Sequence, residues 1–320
     1  MMRRLMIITT VVSLTLALTT MGSVDAKGDR KKVTVGCKNF TEQYIIGHMI
    51  KQLLETRGFT VDLKADLTSM ALRAGMESGD IDICAEYTGT AWMIHLKREY
   101  KPGTDNDMLY ELVKKEDKGN NFIWLDPIWN NNTYALASWY EFATKHDLKT
   151  LSDLARLYRE KKGRIDTFVD FEFSTRPDGL RSLEEFYDFK VAKAALKTGT
   201  PGASLISLKQ HKTDVAMVFG TDASIAKYRW FVFVDNKSFF PPYDLTPYVA
   251  TAVLDQYPKI ADIINRLVAT FPGSGNSTTP KRVAECQKVW QELNAKVDIE
   301  KKEPQEVARE YLIAHGLVKR

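Results

Sequence analysis

Beyond its first residues, this 320-residue chain has no apolar run of membrane-spanning length. Cysteine is scarce, at three residues, so at least one thiol is unpaired within a monomer and a disulfide-rich scaffold is excluded. The five histidines (His48, His95, His146, His211 and His315) stand far apart and share no metal-ligand spacing. There is no phosphate loop and no dinucleotide fingerprint, and "FPGSGNS" around Ser274 lacks the strand-to-helix setting of a nucleophile elbow. No block of like charge suggests nucleic acid, since the net charge of +4 comes from scattered residues of both signs. No catalytic machinery is visible, and no metal or cofactor is expected. What is there fits a soluble globular protein: 44% hydrophobic and 27% charged residues.

The N-terminus reads as a removable leader. "MMRR" precedes a Thr-rich apolar run, Leu5–Leu18, and "SVDA" offers small residues before a cut after Ala26. A secretory signal peptide is therefore expected over residues 1–26, with no Cys near the cut to carry a lipid anchor. Export implies an oxidising compartment. Cys37 and Cys84 each end an expected strand and are either bridged or, as the simpler state, two buried thiols.

The mature chain alternates strand and helix signals. "KVTVGC" (Lys32–Cys37), "FTVDLKA" (Phe59–Ala65) and "IDICAEY" (Ile81–Tyr87) read as strands. Between the first two, Ile45, Ile46, Met49, Ile50, Leu53 and Leu54 form a helical stripe, with Thr41 as the expected cap and Gly58 as the stop. Strands separated by helices imply a parallel sheet, whose ligands bind beyond the carboxyl ends of the strands. That rule turns the loops Lys38–Gln43 and Tyr87–Thr90 toward one crevice. Alternation puts Tyr87 on the core face of its strand, yet the strand ends there. A second α/β unit follows, with strands in "NTYALAS" (Asn132–Ser138), "RIDTFVDF", "TDVAMVFG" (Thr213–Gly220) and "RWFVFVD" (Arg229–Asp235). Thr150 and Asp153 make a capping box, and Asp178 is the expected cap of a helix to Phe189. "FFPPYD" (Phe239–Asp244) has two prolines, which forbid a central strand. Helices are expected over 255–271, 281–296 and 304–315.

Five segments, "GCKNFTEQ" (Gly36–Gln43), "SGDIDICAEYTGT" (Ser78–Thr90), "NNTYALA" (Asn131–Ala137), "RPDGL" (Arg176–Leu180) and "FFPPYD", occur in one order over residues 32–315. Together they resemble the substrate-binding proteins of osmoprotectant ABC transporters, which take glycine betaine, carnitine or choline. The resemblance implies an α/β, two-lobed periplasmic-binding-protein fold, type II-like, with two strand crossings. The first lobe would hold 27–133 and 240–320, the second 134–239. It implies a monomeric periplasmic receptor, not an enzyme, that delivers its ligand to a permease in the inner membrane.

The resemblance also implies an aromatic cage of Tyr87, Tyr134, Phe219 and Tyr243 for the quaternary ammonium head. A trimethylammonium group has no N–H to donate, whereas ring faces attract it through their quadrupole. Lys38, Thr90 and Arg176 would grip a carboxylate, and Asn132 would orient the cation end. Most have a plainer alternative: the tyrosines and Phe219 as packing residues, Arg176 as the partner of Asp178, Lys38 as solvated. Departures from the family pattern are Phe219 where Tyr is usual, Ala223 for Gly, Ala85 for Pro, and "LTSMA" (Leu67–Ala71), where Met70 could narrow the pocket. The alternative ligand is another small zwitterion, such as an amino acid or ectoine.

Overall fold

The computed structural model describes residues 31–274 and 278–320; the expected signal peptide lies outside them. The strands are β1 (Lys32–Lys38), β2 (Thr60–Leu67), β3 (Ile83–Tyr87), β4 (Phe122–Trp124), β5 (Tyr134–Trp139), β6 (Thr167–Asp170), β7 (Leu196–Gly199), β8 (Val215–Phe219), β9 (Trp230–Val232) and β10 (Leu245–Ala250). They form two five-stranded sheets, ordered β2-β1-β3-β10-β4 and β7-β6-β8-β5-β9, each at the centre of one lobe. The chain leaves the first sheet after β4, builds the second, and returns as β10.

Both sheets are mixed rather than parallel. β1 runs parallel to β2 and β3, but β10 is antiparallel to β3 and β4. In the second sheet β5 is antiparallel to β8 and β9. Strand β10 was not legible because Pro247 sits inside it, beside two neighbours. Pro247 lies opposite Leu125, whose N–H donates to the Pro247 carbonyl at 2.9 Å. Proline has no N–H to return. The Tyr110 hydroxyl donates to the Leu125 carbonyl instead, at 2.8 Å, so the gap in the ladder is filled.

Several local expectations hold. Thr150 and Asp153 form a reciprocal capping box on helix Leu151–Glu160. The stripe Ile45–Leu54 is buried along helix Thr41–Glu55. Others change. Thr41 is the first helical residue, preceded by Phe40 at the cap position, and its hydroxyl donates to Asp298 at 2.6 Å. Helix Leu180–Tyr187 is preceded by Gly179, because Asp178 is committed elsewhere. The expected helix over 255–271 is two, Thr251–Gln256 and Lys259–Val268, divided at Pro258.

All three cysteines are free and buried. Sheet register explains why Cys37 and Cys84 are not bridged. Gly36 pairs with Cys84 and Val35 with Ile83, so Cys84 shares a face with Gly36. Cys37, one residue on, points to the other face.

The crossings between lobes are tied by three consecutive asparagines. Leu245 N–H donates to Asn130 Oδ1 at 3.0 Å, Tyr243 N–H to Asn131 Oδ1 at 2.9 Å, and Asn132 N–H to the Tyr243 carbonyl at 2.8 Å. Asn131 has φ +34°, a left-handed conformation that Asn adopts more readily than most residues. No helix among the described residues is long and apolar enough to cross a membrane.

Candidate functional site

The ends of β1, β3 and β8, the start of β5 and the two crossings meet at one small cavity between the sheets. Tyr87, Tyr134, Phe219 and Tyr243 all line it, together with Lys38, Thr90 and Asn132. Tyr134 and Phe219 are direct cross-strand partners, which places their rings 5.2 Å apart. The Tyr243 ring stands edge-on to Tyr134 at 5.5 Å. Gly89, in the turn after Tyr87, permits this closeness: a Cβ there would lie 2.8 Å from both the Pro242 carbonyl and the Tyr243 ring. The cavity volume is about 20 Å³, enough for roughly one water. A quaternary ammonium enters only if the rings part.

Arg176 is placed differently. It does not line this cavity but stands behind its wall, with its guanidinium 5.1 Å from the Tyr134 ring centre. Its Nε and Nη2 donate to the two Asp178 oxygens at 2.7 and 2.6 Å, and Nη1 donates to Glu172 at 3.2 Å. Nη2 also donates to the Thr90 hydroxyl at 3.1 Å, across the lobes. Pairing with Asp178 is thus real, and four hydrogen bonds already engage the guanidinium. The Tyr243 hydroxyl donates to Asp178 at 2.6 Å and makes a second link between the sheets.

Lys38 is buried rather than solvated. Its Nζ pairs with Glu86 Oε1 at 2.5 Å and lies 5.0 Å from the Tyr87 ring centre. Burial works against the Glu86 charge, but Lys38 and His95 outweigh it and hold this carboxyl at about 2. Met70 is 61% exposed and lines an outer groove with Arg176, so it does not narrow the cavity. Its neighbour Ser69 faces the cavity with a buried hydroxyl that makes no hydrogen bond.

Two residues of the site escaped the sequence reading. Phe40 stacks on Phe219 at 5.0 Å and on Tyr87 at 6.2 Å, bridging the aromatic sets of the two lobes. The available signal was an aromatic directly after β1 within "GCKNFTEQ". Glu42 is 1% exposed, and its Oε1 accepts from the Tyr87 hydroxyl at 2.8 Å, Asn130 at 3.0 Å and Asn132 at 3.2 Å. Burial raises this carboxyl to about 6, opposed by the nearby Thr221 side chain and by the hydrogen bonds of Tyr87, Asn130 and Asn132. Glu42 lies in the first turn of helix Thr41–Glu55, and only tertiary contacts bury it.

These carboxyls set a pH dependence. Burial lifts Glu42 and Asp170 to about 6 and Asp222 and Asp244 to about 7, from ordinary values of 3.8 to 4.5. Between those limits the folded chain holds more protons than the unfolded chain, so stability falls as pH rises. Glu86 acts in the opposite sense: its stabilisation is present above 4.5 and is lost as pH falls toward 2. The urea midpoint is therefore expected to be higher at pH 5 than at pH 8, and to drop again below pH 4. A midpoint at pH 8 equal to or above that at pH 5 would count against the buried carboxyls carrying this effect.

The chain matches the family model described as the substrate binding domain of ABC-type glycine betaine transport systems, over residues 31–314. A glycine-betaine-binding protein of Pseudomonas aeruginosa is 32% identical, covering 89% of this chain and 88% of that protein. The glycine betaine-binding protein YehZ of Escherichia coli is 31% identical, covering 90% and 92%. Among solved structures, one described as a glycine betaine/carnitine/choline ABC transporter superposes with a TM-score of 0.67 at 26% identity, covering 90% of this chain and 99% of that one. The two-sheet fold, the matched span and these relatives agree: this chain belongs to the family of substrate-binding domains of ABC-type glycine betaine transport systems, which are transport proteins rather than enzymes.

Proposed function

We propose that this protein is a periplasmic receptor that captures a quaternary ammonium compatible solute, namely glycine betaine, choline or carnitine, and presents it to a membrane permease. The observation that carries the reading is the convergence of Tyr87, Tyr134, Phe219 and Tyr243, from distant parts of the chain, on one cavity between the lobes. Each ring face contributes on the order of 0.5–2 kcal/mol to a desolvated cation. Several together supply much of the ~8 kcal/mol that micromolar affinity requires. Phe40 adds a fifth ring to the four implied by the resemblance.

The lobes are taken as 27–133 with 240–320, and 134–239. Sheet membership supports this division, since β1–β4 and β10 form one sheet and β5–β9 the other. The ligand would favour the closed form by touching both lobes. Lys38 and Thr90 face the cavity as candidate carboxylate contacts, and Asn132 joins the cation end through Tyr87 and Glu42. Arg176 would reach the ligand carboxylate from behind the wall, by giving up its bonds to Thr90 and Glu172. The receptor is taken as a monomer, exported by the leader over 1–26.

Titration calorimetry against glycine betaine, choline, carnitine and a panel of amino acids tests the reading. Micromolar binding of at least one quaternary amine is expected. Binding of an amino acid with no response to any quaternary amine would sink the cage.

A further inference from the structure

Behind the stacked rings of Phe40 and Phe219 lies a larger cavity, of about 400 Å³. It shares Asn39, Phe40, Asn132, Pro201 and Phe219 with the aromatic cavity and extends to helix Pro280–Asp298. Its lining contains four carboxylates, Glu42, Asp66, Asp222 and Asp298, and no Lys, Arg or His. Lys301 bears on Asp298 from outside the lining. Burial, and then the charges of Asp298 and Glu42, push Asp222 up to about 7. Among the described residues no three such groups are placed to hold a metal ion.

Two acceptors here are buried without hydrogen bonds. Asn294 is 3% exposed; its Nδ2 donates to the Thr221 carbonyl at 3.0 Å, which fixes the amide and leaves Oδ1 without a donor. On Glu42, Oε1 takes all three of its hydrogen bonds and Oε2 takes none, although the Thr221 side chain is near enough to favour its charge. Leaving a buried acceptor unpaired is costly, and facing carboxylates disfavour one another's ionisation. A quaternary ammonium cannot satisfy these acceptors, because it has no N–H. A primary ammonium, guanidinium or imidazolium supplies both the charge and the donors.

We propose that this chamber is a second ligand compartment, which takes a positively charged, hydrogen-bond-donating arm of a ligand whose quaternary head sits in the aromatic cage. The inference rests on the cage reading for the head, but the chamber has its own recognition chemistry. The preferred ligands would then include betaines and choline-like amines carrying a second, donor-bearing cation.

The test is calorimetry with the whole mature chain and two near-isosteric probes. (3-Aminopropyl)trimethylammonium places a primary ammonium three carbons from the head; butyltrimethylammonium has a methyl in its place. The aminopropyl probe is expected to bind at least tenfold tighter, and the ratio is expected to fall toward one in Asp298→Asn and in Asn294→Leu. Thermal melting of each variant checks folding, and Asp298→Asn retains the acceptor for Thr41. Equal affinity of the two probes, the result if the chamber holds only solvent, would overturn the proposal while leaving the cage standing. If neither probe nor choline binds, the cage reading fails, and agmatine, which has no quaternary head, decides for the chamber. Agmatine binding that weakens tenfold in Asp298→Asn supports it, and no agmatine binding refutes it.

Discussion

Arg176→Ala should destabilise the protein by about 3–5 kcal/mol, because it leaves Asp178 as a buried carboxylate without its counter-ion. Both side chains are almost wholly buried, and the pair is bidentate. The variant also removes the bond from Arg176 to Thr90 across the lobes, and it leaves the Tyr243 hydroxyl on an uncompensated carboxylate. Urea unfolding measures the first effect. The second is read by comparing ligands. Glycine betaine and carnitine should lose more affinity than choline, which has no carboxylate, since Arg176 is the cation that Thr90 and Glu172 screen from the cavity. Equal losses for all three would restrict Arg176 to holding the wall at Tyr134.

Tyr87→Ala should weaken quaternary-amine binding by tenfold or more, which is ~1.4 kcal/mol per decade. From the sequence alone, a tyrosine at a strand end could be removed with little loss of stability. The structure changes that expectation. Tyr87 is 4% exposed, and its hydroxyl is one of the donors that hold Glu42. Truncating a buried aromatic costs about 3–5 kcal/mol through lost burial and the void left behind. Tyr87→Phe separates the two contributions. It keeps the ring face, so affinity should stay within severalfold, while Glu42 loses a hydrogen bond and stability falls by about 1–3 kcal/mol. If Tyr87→Ala loses stability at unchanged affinity, the residue is a core tyrosine and not a cage wall.

In the structure Tyr87 is packed like a core residue and also lines the cavity. Along β3 the core face carries Ile83, Ala85 and Tyr87 into the packed interior of the first lobe. At the end of the strand that same face meets Phe40 and, through it, Phe219 of the other sheet. Core packing and cavity lining are successive stretches of one surface, so burial alone could not distinguish them.

Short-range patterns were legible. The stripe of helix Thr41–Glu55, the capping box at Thr150–Asp153 and the carboxyl end of β3 depend on residues a few positions apart, whose spacing fixes their direction. The cage set could be read only through family resemblance, because Tyr87, Tyr134, Phe219 and Tyr243 lie far apart in the chain. The alternation of strand and helix determined the α/β class and the crevice at the strand ends. Only the tertiary structure decided what depends on register and on distant partners: that Pro247 sits within a sheet, that Cys37 and Cys84 face apart, that Arg176 is spoken for by Asp178, and that Glu42 lies buried under Tyr87. Each follows from contacts between segments many residues apart, where sequence spacing no longer limits geometry and the lowest free energy is chosen by packing and charge satisfaction together.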